Sequence, residues 1–165
     1  MAQPDPIEEA RRQWVAHGWG AAADGMAMVT SLTRVQQLVT ERIDAVLRPL
    51  DLTFARYEVL RLLAFTRAGS MPMTRLGSLL QVHPTSVSSA VARLEAQGLV
   101  ERQRDADDRR VVRATLTARG REVVEAATDG LNREVFEAPG LDADDVATLT
   151  GLLRDYRRRA GDLPD

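Results

Sequence analysis

The chain has 165 residues with 22 basic and 24 acidic side chains, a formal net charge of -2, and 44% apolar and 28% charged residues, the composition of one folded globular domain with helical extensions. It contains no cysteine, which excludes a disulfide framework, a thiolate metal site and a cysteine nucleophile together. No apolar run approaches the ~20 residues of a membrane helix, and the acidic N-terminus lacks the basic-then-apolar order of a signal peptide, so a cytoplasmic location with no membrane partner is expected.

Asp5-Pro6 reads as a cap and first-turn pair for a short helix carrying Ile7, Ala10 and Trp14 on one face, ended by Gly18 and Gly20. A long helix is predicted from about Asp24 to Leu47, because Met28, Leu32, Val35, Val39, Ile43 and Val46 recur at steps of three and four until Pro49 stops it. Thr53 caps a third helix that runs through Tyr57, Leu60 and Leu63 to Gly69. Thr74 to Leu80 is a short helix, a tight connection follows through Gln81-Val82-His83, and Pro84 opens another helix that ends at Gly98. Leu99 to Arg104 and Val111 to Leu116 read as two strands joined by the polar tip Asp105-Ala106-Asp107-Asp108-Arg109-Arg110. Thr117 caps a helix to about Phe136, Pro139-Gly140 breaks it, and Asp142 starts a last helix that ends in Arg157-Arg158-Arg159.

A lone two-stranded ribbon is marginal by itself and must lean on the helices. Long apolar helix faces at both ends of the chain have nothing inside it to bury them, and pairing between two copies is the simplest solution.

The chemistry concentrates between Met71 and Thr117, where seven arginines face five acidic residues, a local balance of +2 that leaves -4 for the remainder. Every basic residue of the chain is arginine; genomic base composition is the favoured account, although a preference for planar guanidinium contacts would look the same. On a helical wheel from Pro84, Val87, Ala90, Val91 and Leu94 share one face, and Thr85, Ser86, Ser89 and Arg93 the opposite one, with Ser88 and Ala92 at its margins. Small hydroxyls let a helix seat deeply in a DNA major groove and donate to phosphates and base edges, although the same face also suits a solvated helix. At the hairpin tip, Asp108 beside Arg109 and Arg110 suggests a carboxylate that orients a guanidinium toward a narrow minor groove; the bland alternative is a solvated turn.

These pieces together resemble the MarR family of winged helix-turn-helix transcriptional regulators. The resemblance runs from Leu52 to Gly120, through Leu76-Gly77-Ser78-Leu79-Leu80, His83 to Glu95, Gly98-Leu99-Val100-Glu101-Arg102, Asp108-Arg109-Arg110 and Leu116-Thr117-Ala118-Arg119-Gly120. It implies a mainly α fold with a small β-hairpin wing, a winged helix-turn-helix set in a helical dimer body. Residues 1–50 would form an N-terminal extension and dimerisation helix, 51–117 the DNA-binding lobe, and 118–165 the C-terminal dimerisation helices. It further implies a homodimeric repressor on double-stranded, pseudo-palindromic DNA, with half-sites about one helical turn (~10 bp) apart. Thr85, Ser86, Ser88, Ser89 and Arg93 would enter the major groove, and Arg109, aided by Asp108 and Arg110, the minor groove. Gly77 replaces the family's usual alanine, and Ser89 stands where many members carry a base-facing arginine.

Members of the family commonly release DNA when a small aromatic or anionic molecule binds between dimer body and DNA-binding lobe. A subset that senses urate-like ligands has an extra N-terminal helix with a tryptophan, as Trp14 is placed here, and an acidic residue near Glu58; the arginine that subset carries on its recognition helix is matched by neither Ser89 nor Ala92. Trp14, His17, Trp19, Arg56 and Glu58 are the candidate ligand residues, although packing of the extra helix is the commoner fate for both tryptophans. His17 and His83 have no carboxylate at ligand spacing, so no metal and no cofactor is expected. Arg157-Arg158-Arg159 reads as a solvated helix C-terminus. No nucleophile elbow, phosphate-cradling loop or triad indicates an enzyme. The alternative function is a helical protein-interaction module that has lost DNA affinity.

Overall fold

The computed structural model describes residues 4–80 and 82–163, so Gln81 of the connection before Pro84 lies outside the described residues. The chain divides into two compact units, Met1–Ala45 and Val46–Asp165.

In the first unit, helix α1 (Pro6–Ala16) starts as its sequence dictates: the Asp5 carboxylate accepts from the Ile7 N–H, and proline occupies the first turn, where its missing N–H costs nothing. Glu8 and Glu9 pair with Arg11 and Arg12 one turn on, and the hydrogen bond from Arg11 holds the Glu8 carboxyl below its ordinary value. Gly18, at φ 85, turns the chain in the left-handed region that glycine tolerates best. Helix α2 (Gly20–Leu47) starts at Gly20 rather than near Asp24, because the run Ala21-Ala22-Ala23 propagates helix and the Trp19 carbonyl accepts the Ala22 N–H. From Leu32 to Glu41 every residue of α2 is exposed, including Leu32, Val35, Leu38 and Val39.

The second unit opens with a 3-10 turn (Arg48–Leu50) and helix α3 (Phe54–Phe65), capped by Thr53. Strand β1 (Ser70–Pro72) leads into helix α4 (Met73–Leu80), helix α5 (Pro84–Ala96), and strands β2 (Val100–Arg104) and β3 (Val112–Leu116). The sheet is antiparallel in the order β1-β3-β2, with Met71 opposite Ala114 and Arg102 opposite Ala114 on the other side. This corrects the expected two-stranded ribbon. A third strand, too short to show alternation, pairs with the inner strand and buries Met71 against the helices.

Val59, Leu60 and Leu63 of α3, Leu76 of α4, Val91 and Leu94 of α5, and Val100 and Ala114 of the sheet make one core, each at 1% exposure or less. Helix α6 (Ala118–Leu131), capped by Thr117, adds Val124, Ala127 and Leu131. Gly120 admits no side chain: a Cβ there would overlap the Leu99 carbonyl, so α6 rests directly on the backbone leading into β2. The expected single helix to Phe136 ends at Leu131 and widens into a π-type turn (Asn132–Phe136), where the Glu137 N–H reaches the Asn132 carbonyl at 2.8 Å. Helix α7 (Ala143–Arg159), capped by Asp142, buries none of its residues. No described helix is long and apolar enough to cross a membrane.

Candidate nucleic-acid interface

Helix α5 starts at Pro84, and the ring of His83 accepts from the Thr85 N–H at 3.3 Å, so the first turn is fixed by local chemistry. Burial of Val87, Val91 and Leu94 then sets the helix's rotation about its axis, with Ala90 half-buried beside them. The consequence is an outer face of Thr85, Ser86, Ser88, Ser89 and Arg93, all exposed. No carboxylate shares this face. Glu95, the nearest acid on the helix, is turned to β2, where it accepts from the Arg102 N–H at 3.2 Å and its Nε at 2.8 Å. That contact holds the Glu95 carboxyl below its ordinary value and neutralises Arg102 in the same stroke. The Arg93 guanidinium, by contrast, has no hydrogen-bond or ion-pair partner among the described residues.

The wing tip between β2 and β3 is built by its own acids. One Asp105 oxygen accepts from the N–H groups of Asp107 at 2.9 Å and Asp108 at 3.4 Å, and the other meets Arg113 at 3.3 Å. These backbone donors first, and Arg113 after them, hold the Asp105 carboxyl below its usual range. Asp108 accepts from the Arg110 backbone N–H at 3.0 Å and from the Nε and one terminal nitrogen of its guanidinium, each at 3.1 Å, which lowers its pKa, the side-chain bond first. The guanidinium that Asp108 orients is therefore that of Arg110, whose side chain is 90% exposed. The exposed side chain of Arg109 has no partner among the described residues. Two of the three tip acids thus hold the turn, and the negative charge they would show an incoming polyanion is largely engaged internally.

Two shallow grooves flank α5. Thr53, Ala55 and Arg56 from the start of α3 form one of about 440 Å3 with Thr85, Ser86, Ser89, Ala90 and Arg93. On the other side, Met73, Thr74, Gly77 and Ser78 of α4 form one of about 540 Å3 with Val82, Pro84, Val87 and Ser88.

A short helix, a tight connection, an exposed hydroxyl-bearing helix and a hairpin wing make a winged helix-turn-helix, and the comparisons agree. The MarR family model matches residues 50–111. Sco5413, a MarR family transcriptional regulator from Streptomyces coelicolor, is 43% identical, and its crystal structure superposes with a TM-score of 0.75 over 86% of this chain and 99% of that one. The chain belongs to the MarR family. A mutant MarR from E. coli crystallised with operator DNA is 26% identical at a TM-score of 0.71, over 82% of this chain and 96% of that one. The HTH-type regulator YhbI of Bacillus subtilis is 34% identical over 85 residues, 52% of this chain and 54% of that protein, so the chain spans about half the length of this relative.

The ligand candidates of this MarR family regulator fall into separate units of the chain. Trp14, His17 and Trp19 come together in the first: the tryptophan rings meet edge to face at 5.4 Å, and His17 stacks on Trp19 at 5.8 Å. Trp19 is still 54% exposed. Arg56 and Glu58 lie on α3 in the second unit, two residues apart and so on different faces. Arg56 turns to the groove along α5, whereas Glu58 is half-buried, and burial raises its carboxyl pKa. Among the described residues no group of three His, Asp or Glu could hold a metal ion.

Sequence reasoning missed Thr53, Arg56 and Gln97 as neighbours of the recognition surface. Thr53 and Arg56 carried a local signal, the cap and third-residue spacing, but their approach to α5 exists only in three dimensions.

Proposed function

We propose that this MarR family regulator is a homodimeric repressor that binds a pseudo-palindromic duplex, with α5 in the major groove and the wing in the minor groove. One observation carries the reading: an exposed helix face of Thr85, Ser86, Ser88, Ser89 and Arg93 without a carboxylate, on a helix whose rotation is fixed by its buried side. Hydroxyls and a guanidinium are donors to phosphate and to guanine edges. The exposed Arg109 and the Asp108-held Arg110 suit a narrow minor groove, where the potential is most negative. The E. coli MarR crystallised with operator DNA supports this by analogy.

The exposed apolar stripes of α2 and α7 support a dimer body formed by residues 1–50 and 118–165 around a DNA-binding lobe of 51–117. The Trp14–Trp19–His17 cluster supports release by a small aromatic or anionic ligand, because its stacked rings leave an aromatic surface open.

The test is binding of the purified protein to DNA upstream of its own gene across a salt series. Each phosphate contact adds about -0.9 to the slope of log affinity against log salt, so a steep slope is expected. Arg93→Ala and Arg109→Ala should each weaken binding by about tenfold or more, Arg109→Ala on all sequences alike. Wild-type affinity in both variants overturns the assignment. A protein-interaction module would show no salt slope at all.

A further inference from the structure

We propose that the groove between the start of α3 and the edge of α5 seats a backbone phosphate of the bound DNA, with Arg56 as its second cation beside Arg93. This rests on the reading of α5 as the recognition helix. A helix about 10–12 Å across fills a major groove about 12 Å wide, so the phosphate rows of the two strands run along its long edges. Thr85, Ser89 and Arg93 follow one another at four-residue steps and define one such edge, and it is this edge that faces Thr53, Ala55 and Arg56.

The lining has the composition of an oxyanion site: hydroxyls of Thr53, Thr85, Ser86 and Ser89, guanidiniums of Arg56 and Arg93, and no carboxylate. Arg56 is also held in place without being neutralised. Its Nε donates to the Thr53 hydroxyl at 3.3 Å and one terminal nitrogen donates to the Gln97 amide oxygen at 3.1 Å. Gln97 is anchored in turn, its Nε2 donating to the Asp51 carbonyl at 2.9 Å and carboxylate at 2.7 Å. Both direct partners of Arg56 are uncharged, and the Asp51 carboxylate stands one amide removed. Arg102, Arg110 and Arg113 each carry a carboxylate in direct contact instead. A guanidinium that is fixed in position and still carries its full charge is suited to bind an anion from outside the chain.

An oxyanion of this kind could be a DNA phosphate or a free small anion, and the two sources separate by experiment. Operator affinity of the full-length protein is measured across a salt series for wild type, Arg56→Gln, Arg56→Lys and Gln97→Ala. Arg56→Gln should lose about tenfold in affinity at low salt, equally on operator and unrelated DNA, and its slope should be shallower by about 0.9 for each protomer bound. Arg56→Lys should recover the slope, and Gln97→Ala should keep it while losing only a few-fold in affinity. An unchanged slope in Arg56→Gln overturns this inference alone, whereas a wild type without slope overturns the DNA-binding reading beneath it. A loss in Gln97→Ala equal to that in Arg56→Gln, in both affinity and slope, also overturns it, because Arg56 would then act only by holding α5. Inorganic phosphate titrated into the DNA-free protein gives the last arm: binding that Arg56→Gln abolishes without a change in DNA slope makes the groove a site for a free anion, and the proposal fails.

Discussion

Helices α5 and α7 have similar apolar spacing and opposite fates. In α5, Val87, Val91 and Leu94 are buried in the core of their own lobe. In α7, Val146, Leu149, Leu153 and Tyr156 recur at steps of three and four, yet none of them is buried. The middle of α2 shares the condition of α7, with Leu32, Val35, Leu38 and Val39 open to solvent. A periodic apolar stripe says that a face is meant to be covered; it does not say which chain covers it. The apolar face of α5 is covered within its own chain, whereas the stripes of α2 and α7 are the faces that the proposed dimer would cover.

The contrast breaks most decisively at α7. Leu153→Glu should reduce the solution mass from a dimer to a single chain of 18.2 kDa, and, because two linked half-sites bind far more tightly than separate ones, operator affinity should fall by about a thousandfold. Light scattering on the eluted peak and a gel-shift titration check both, while the lobe should keep its cooperative melt. A dimer of unchanged mass removes α7 from the interface.

At the joint between α6 and the segment leading into β2, the corresponding lesion is Gly120→Ala. Its new methyl meets the Leu99 backbone and the Leu116 side chain, and only a shift of α6 relieves it. A loss of about 3 kcal/mol in a urea titration is expected, independent of protein concentration. Dependence on concentration would mean that lobe and terminal helices unfold as one.

Acid acts on the wing more gently. The Asp105 carboxyl titrates below its ordinary value in the folded turn, so its contribution is complete above the unfolded pKa of about 4 and is lost as pH falls through the lower folded value. Amide exchange at Asp107 and Asp108 should accelerate below about pH 4, and Asp105→Asn should remove that step. Glu58 has the opposite sign: its raised pKa means the charged form is disfavoured in the fold, so acidification relieves a penalty rather than imposing one.

The smallest effect sharpens the comparison without breaking it. At Gly77 a methyl would meet Val87 at 3.7 Å and the Val82 carbonyl at 4.0 Å, both ordinary contacts. Gly77→Ala should therefore stabilise α4 by about 0.5–1 kcal/mol, a gain of a few degrees in Tm by calorimetry.

Much of this was legible residue by residue. Asp5, Thr53, Thr117 and Asp142 cap the helices they were expected to cap, since a cap joins residues only two or three positions apart. The faces of α5 followed from periodicity, and Gly77 and Ser89 stood out against the family pattern. Strand β1 was invisible because three residues cannot display alternation, and its pairing with β3 spans some forty residues of sequence. The turn after Leu131 leaves no composition signal. Asp108 could equally have served either neighbouring arginine, and only the folded turn chooses Arg110. The groove at Arg56 depends on how α3 crosses α5, which local pattern does not encode.

The seat of Gly120 has a mechanical consequence. Beside it, the Thr117 N–H donates to the Leu99 carbonyl at 3.1 Å and the Thr117 hydroxyl to the Gly98 carbonyl at 2.9 Å. Backbone against backbone and two bonds across the joint tie the start of α6 to the segment that leads into β2. The 14 residues of α6 make an arm of about 21 Å. Its far end carries Leu131, fully buried in the core, so a load applied at the wing is carried along the whole helix into the interior.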